Sequence, residues 1–111
     1  MIGVYASKRG EKYRLLVVGH AKESAEGVRV CAAVSALTEA LSLYAKSRPD
    51  CRHVRLYVER GLAFLSCCYG LHDTFDMTVG ALRRLAIEYP DHMCFSGNLS
   101  VNDKEGAHLL F

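Results

Sequence analysis

The sequence of 111 residues has no tryptophan, only two prolines and a small net charge of +2. So weak a positive charge, with basic residues scattered along the chain, does not predict a nucleic-acid-binding surface. No stretch approaches the roughly 20 apolar residues of a membrane span, and the N-terminal pattern is not that of a signal peptide. Half of the residues are hydrophobic and 23% are charged, an ordinary globular composition. We therefore expect one cytoplasmic domain with no nucleic-acid or membrane partner.

The cysteines argue against a disulfide framework, because there are five of them and no Cys-x-x-Cys pair. Two short runs, residues 51–53 and 92–94, each place a cysteine and a histidine two positions apart. A zinc site built from both runs is one interpretation. Buried structural cysteines are the commoner outcome in a reducing compartment, so we predict no metal and no cofactor.

The spacing of apolar residues predicts two β-β-α units followed by one strand. Residues 2–18 form a hairpin, and apolar positions three and four apart from Val30 to Tyr44 predict a helix. A second hairpin turns at Arg60-Gly61, and a second helix has its apolar face between Phe75 and Tyr89. Residues 92–97 complete the domain as a short strand. The pattern predicts an α+β fold over residues 1–97, with two helices on a mixed or antiparallel sheet, and a polar tail at residues 98–111.

Two side chains of catalytic type stand at element ends. His20 follows an apolar strand, and Cys31 stands at the predicted start of the first helix, with residues 22–29 as a loop between them. Such ends hold a base and a nucleophile still while leaving both open to solvent. A thiol at a helix N-terminus also feels the positive end of the helix dipole, which favours the thiolate. The pattern predicts a Cys-His dyad; the alternative is a core cysteine and a histidine that merely ends a strand.

The same residues carry a family resemblance. The run Gly19-His20-Ala21, a short loop containing Gly27, and the run from Val30 to Ser35 together resemble the signature of the ribosomal-processing cysteine protease family, Prp. The order of elements up to about Ser96 is also similar. The resemblance implies that Cys31 is the nucleophile and His20 the base of an endopeptidase, which removes an N-terminal extension from a large-subunit ribosomal protein. Some phages use this activity on capsid and scaffold proteins.

Two departures from the family pattern lie just before the cysteine. The loop after His20 is about one residue shorter than the family's. The family usually carries an acidic residue three positions before the cysteine, whereas this chain has Val28 there, followed by Arg29. Both departures fall in a segment that we expect to shape the substrate cleft.

The dyad predicts roles for neighbouring groups. Backbone N–H groups near Cys31 and Ala32 would stabilise the oxyanion of the reaction. Ser35 lies one helical turn beyond Cys31, where its hydroxyl would steady the thiolate or the substrate; a bond back to a helix carbonyl is the alternative. Glu23 and Glu26 are candidates to orient His20, and we assign no third catalytic member.

Three further expectations concern partners and the tail. A non-catalytic binding module of the same fold, attached to a ribosomal or capsid precursor, is the alternative function. A homodimer is expected, because so apolar a chain of this length should expose a face that needs cover and because the resembled family is dimeric. The apolar end at residues 107–111 resembles a cleaved product that occupies the cleft as a weak inhibitor; a last strand or a tail along the core is the alternative.

Overall fold

The computed structural model describes the backbone of residues 1–100 and the side chains of residues 1–97. The hypothesis of an inhibitory tail therefore lies outside the described residues. Within them, the predicted order of elements is confirmed. In chain order the elements are β1 (Ile2–Arg9), β2 (Lys12–Gly19), α1 (Ala25–Ser47), β3 (Arg52–Glu59), β4 (Leu62–Cys68), α2 (His72–Glu88) and β5 (Met93–Ser100).

The five strands form one mixed sheet in the order β3-β4-β2-β1-β5. Neighbouring strands run antiparallel except β5, which runs parallel to β1. The two helices pack on one face of this sheet, so that alternate residues of the strands enter the core. In the central strand β2, Leu15 and Val17 are buried, whereas Leu16 and Val18 are only half-buried on the opposite face. A continuous apolar run such as that of β2 is typical of a strand covered on both faces, whereas within the described residues the helices cover only one.

The core lies between the helices and the inner face of the sheet. Val34 and Leu41 of α1 meet Phe75 and Leu82 of α2 in one cluster with the inward side chains of the strands. At its edge the Lys8 side chain, 1% exposed, forms an ion pair with Asp76 at 2.9 Å. A buried charge requires such a partner, so this pair ties β1 to α2.

Helix α1 begins earlier than its apolar pattern indicates. Ser24 is the N-cap, since its hydroxyl oxygen accepts a hydrogen bond from the Gly27 N–H at 2.9 Å. The first turn is largely exposed, so apolar spacing could not reveal it, and the predicted loop over residues 22–29 is wrong. Only residues 20–24 connect β2 to α1. Cys31 is consequently the seventh residue of the helix rather than its first.

The length of α1 bears on the expectation about membrane spans. The helix has 23 residues, and an 18-residue window within it has a mean hydropathy of 1.3, so by length and composition alone it could cross a membrane. Core helices of folded domains pass the same test. In this fold the apolar stripe of α1, which includes Val30, Val34 and Leu41, is buried against the sheet and α2.

Candidate active-site cleft

An open cleft of about 490 Å³ lies between helix α1, the end of the central strand β2 and the turn of the β3–β4 hairpin. Its apolar lining comes from strands and helix alike, with Val17 of β2, Val34 of α1 and Leu62 of β4 among the contributors. His20 and Cys31 both line it. The cleft therefore unites the two residues that the sequence pattern singled out.

His20 is presented at the mouth of the cleft by a sharp turn of the chain. Gly19, the last residue of β2, has φ +96°, and a Cβ at this position would collide with the Met1 carbonyl oxygen. Only glycine adopts such a backbone without strain in so tight a place. The chain therefore leaves the sheet at Gly19, and the exposed His20 side chain follows at once.

Cys31 reaches the cleft from the second turn of α1. It is half-buried and packs against the hydrophobic core with its backbone inside the helix. Because the influence of the helix dipole falls off within the first turn, the predicted thiolate stabilisation by the dipole does not apply at this position.

No hydrogen bond joins the Cys31 thiol to the His20 imidazole, and no other side chain among residues 1–97 forms a hydrogen bond with that imidazole. Catalytic hydrogen bonds are often long in enzymes without substrate and tighten only on binding. Neither group is thus committed to a side-chain partner, and both line the same cleft.

The predicted oxyanion donors are placed differently from expectation. The first backbone bond of α1 runs from the Val28 N–H to the Ser24 carbonyl at 3.0 Å, so N–H groups from Val28 onward are engaged within the helix. The backbone N–H groups of Cys31 and Ala32 are therefore not free, and this part of the prediction is wrong. The Ala32 side chain is exposed and does not line the cleft, whereas Ser35 lies on the cleft wall one turn beyond Cys31.

The connection between His20 and α1 is held by a buried histidine, which the sequence pattern had offered only as a possible zinc ligand. His92, 5% exposed, accepts a hydrogen bond at Nδ1 from the Lys22 N–H at 3.2 Å. Its Nε2 then carries the proton and donates to Glu26 Oε1 at 3.0 Å. Glu26 is thus engaged by His92 rather than by His20, which corrects the suggestion that it orients the base. Glu23 is exposed and forms no hydrogen bond with the described side chains.

Val28, which stands where the family usually has an acidic residue, and the following Arg29 are both exposed on α1 and do not line the cleft. The wall opposite α1 instead comes from the β3–β4 hairpin, residues 58–63. Its charged members are Glu59, which accepts a hydrogen bond from the Tyr57 hydroxyl at 3.0 Å, and Arg60. Sequence reasoning identified this hairpin but had no signal for its position, because strand pairing across β2 depends on long-range contacts.

The other cysteines differ from Cys31 in their surroundings. Burial raises the pKa of Cys67 to about 12, and it also raises the pKa of Cys51. Neither lines the cleft. Cys68 is half-buried and Cys94 is exposed, again outside it. Among residues 1–97, no group of three or more histidine, cysteine or acidic side chains is placed to hold a metal ion.

No family model matches the sequence, and no curated protein matches it closely enough to count as a relative. Solved structures do match. The essential ribosomal processing protease Prp from S. aureus, in complex with a covalently linked product peptide, superposes with a TM-score of 0.71 at 19% identity over 87% of this chain and 99% of that chain. The same protease with a substrate peptide gives a TM-score of 0.70 at 16% identity, with the same coverage.

A third structure, SMU.848 from Streptococcus mutans, gives a TM-score of 0.67 at 19% identity over 90% of this chain and 96% of that chain. These matches confirm the predicted α+β fold as a Prp-like fold, and they support the resemblance to the Prp family that the His20 and Cys31 segments carry. At 16–19% identity, what this chain and the matched proteins share is the fold.

Proposed function

We propose that this chain is a cysteine endopeptidase with Cys31 as the nucleophile and His20 as the general base. The observation that carries the proposal is that both side chains line one open cleft, on a fold that a peptide-processing protease also has. No other cysteine of the described part of the chain lines this cleft.

The cleft supports the following sequence of steps. The His20 imidazole takes the proton of the Cys31 thiol, and the thiolate attacks the carbonyl carbon of a peptide bond. The imidazolium then protonates the departing amine, which leaves an acyl thioester on Cys31. A water molecule, deprotonated by His20, attacks the thioester, and the free carboxylate and the thiol are released. The Ser35 hydroxyl is the polar group of α1 nearest in sequence to Cys31 on this wall, and it steadies the substrate or its oxyanion.

The substrate in this proposal is a ribosomal-protein precursor with an N-terminal extension, and the reaction takes place in the cytoplasm; a phage capsid or scaffold precursor is the other candidate. The support is that the matched structures from S. aureus are of a ribosomal processing protease, in complex with a product peptide and with a substrate peptide. An extended peptide fits the open, largely apolar cleft between α1 and the β3–β4 hairpin.

Peptide cleavage read by mass spectrometry tests this proposal. Synthetic N-termini of large-subunit ribosomal precursors and of phage capsid and scaffold proteins are incubated with the wild type and with Cys31→Ala. Cys68→Ala is the matched control, since Cys68 is also half-buried but lies outside the cleft. We expect wild type and Cys68→Ala to cleave one class of peptide, and Cys31→Ala to leave it whole. Cleavage by Cys31→Ala at the wild-type rate would contradict the proposal.

The alternative, a binding module without catalysis, is favoured by two observations. The helix N–H groups near Cys31 are engaged in the helix, and no thiol–imidazole hydrogen bond exists within residues 1–97. A peptide that binds to the wild type and to Cys31→Ala with equal affinity, and that neither protein cleaves, would select this alternative.

We also propose a homodimer formed through the sheet face opposite the helices. A continuous row of large side chains crosses four strands there, because Tyr57 pairs with Phe64, Phe64 with Leu16, and Leu16 with Tyr5. Tyr5 and Tyr57 are 48% and 52% exposed. Apolar faces of this kind mark interaction sites, and a second copy supplies a complementary one. Light scattering of the wild type should give a mass of two chains, and the Phe64→Lys variant should give the mass of one chain. A wild-type monomer at micromolar concentration would contradict the proposed dimer.

A further inference from the structure

The His20 imidazole rests on the backbone of a glycine in the β3–β4 turn. A Cβ added to Gly61 would lie 2.7 Å from His20 Nε2, 3.1 Å from Cε1 and 3.5 Å from Cδ2. The first of these distances is shorter than any real van der Waals contact of a methyl carbon. The Nε2 end of the imidazole thus lies in the space that a side chain at position 61 would need.

The same turn forms a hydrogen bond with Gly19, the residue that directs His20 out of the sheet. The Gly19 N–H donates a hydrogen bond to the Gly61 carbonyl at 2.9 Å, which continues the pairing of Val18 with Leu62. Gly61 has φ +79° and therefore presents its carbonyl and its bare Cα from a tight two-residue turn. The turn holds both the backbone before His20 and its ring.

Contact with Gly61 is important for the ring because the imidazole forms no hydrogen bond within residues 1–97. Contacts with the cleft wall must therefore determine which way its nitrogen atoms point. We infer that Gly61 is a positioning residue, whose missing side chain lets the His20 imidazole lie where it can reach the Cys31 thiol. This inference rests on the proposed role of His20 as the base.

The chain provides a matched control for this inference. Gly10 occupies the turn of the β1–β2 hairpin with φ +59°, and a Cβ there would meet nothing within 4 Å. Alanine is strained by a positive φ at both turns, so Gly10→Ala and Gly61→Ala carry a similar backbone penalty. Only the methyl group at position 61 meets His20. The flexible end of an exposed side chain gives way easily, so the ring should move while the fold remains.

The first test compares the steady-state kinetics of the two variants on a cleaved peptide. In Gly61→Ala we expect kcat to fall roughly 10- to 100-fold, the scale of a misplaced catalytic group, with KM changed much less. Gly10→Ala should keep the wild-type kcat. Gly61→Asn and Gly10→Asn repeat the comparison without the strain, because asparagine tolerates a positive φ while still adding a Cβ. Equal activity in the position 61 and position 10 variants would overturn the inference.

A pH profile separates positioning from general damage. The profile follows the rate at which iodoacetamide labels Cys31, which needs only the thiolate and none of the later proton transfers by His20. If the base is misplaced, the labelling deficit of Gly61→Ala should narrow above pH of about 8.5, where cysteine thiols ionise without help. A deficit of constant size at all pH values would indicate a merely structural effect and would contradict the inference.

The last test does not require that the chain cleave any peptide. In NMR spectra, the His20 ring resonances should shift in both position 61 variants and stay in place in both position 10 variants. If the wild type cleaves nothing but these resonances shift as expected, the proposed function has failed and the contact between Gly61 and His20 stands. Unshifted resonances in the position 61 variants would exclude the contact itself.

Discussion

The two β-β-α units of this fold have the same order of elements but different surroundings at corresponding positions. The first unit is β1-β2-α1 and the second is β3-β4-α2. Five residues, 20–24, connect strand to helix in the first unit, and three residues, 69–71, do so in the second. The seventh helical residue is Cys31 in the first unit and Thr78 in the second. Cys31 lines the cleft, whereas Thr78 is 5% exposed and donates its hydroxyl to the Thr74 carbonyl at 2.8 Å.

This difference shows how one architecture divides its tasks. The longer connection in the first unit carries His20 and is anchored to the core by His92. The second unit supplies the hairpin wall, including Gly61, and a helix whose inner face serves packing. If this division is right, substitutions of His20 and Cys31 in the first unit should remove activity at little cost in stability, and substitutions of buried residues of α2 should do the reverse.

The largest effect is expected at the dyad. Cys31→Ala and His20→Ala should each lower the rate of peptide cleavage by about a thousandfold or more, because nucleophile and base act as a unit. The corresponding change in the second unit, Thr78→Ala, should keep kcat near the wild-type value. Rate measurements on one peptide, with circular dichroism to verify folding, check this contrast. If Thr78→Ala is fully folded but inactive, the contrast between the two units does not hold.

A loss of stability without a loss of activity is expected for substitutions of buried residues of α2. Leu82 is fully buried, so Leu82→Ala should lower the free energy of unfolding by about 2–5 kcal/mol. Its kcat, measured well below the unfolding transition, should be unchanged. Ile87→Ala on the same helix is the control, since that side chain is 59% exposed and should change stability by less than about 0.5 kcal/mol. Denaturant unfolding gives the change in the free energy of unfolding, and kinetics on the same samples give kcat. A large fall in the kcat of folded Leu82→Ala would contradict the view that α2 serves packing and the first unit serves catalysis.

A smaller effect is expected where the connection is anchored. Glu26→Ala removes the acceptor of the buried His92 Nε2–H and should lower the free energy of unfolding by about 1 kcal/mol. Glu23→Ala, an exposed neighbour that forms no hydrogen bond with residues 1–97, is the matched control and should change little. Thermal or denaturant unfolding measures the stability of the two variants. If they are equally stable, Glu26 does not anchor the connection.

Much of this arrangement was predictable from sequence because it is local. Alternating strands, the turns at residues 10 and 61, and the apolar face after Val30 each determine an element without reference to the rest of the chain. Two things were not local. The start of α1 depends on the Ser24 cap and an exposed first turn, and the cleft depends on β4 pairing with β2. Sequence therefore singled out His20 and Cys31, the two residues of the proposed dyad. It did not show which hairpin forms the opposite wall of the cleft, or that the helix N–H groups near Cys31 are already hydrogen-bonded.

Site-resolved labelling with iodoacetamide tests the central claim most directly, because it needs no known substrate. Cys94 is the exposed cysteine of the described residues and Cys31 is half-buried, so accessibility alone predicts that Cys94 reacts first. Burial, which raises the pKa of Cys67 to about 12, should leave that thiol unreactive near neutral pH. If His20 activates Cys31, mass spectrometry of digests should find Cys31 labelled before Cys94 at pH 7, and His20→Ala should reverse that order. Faster labelling of Cys94 than of Cys31 in the wild type would contradict the account.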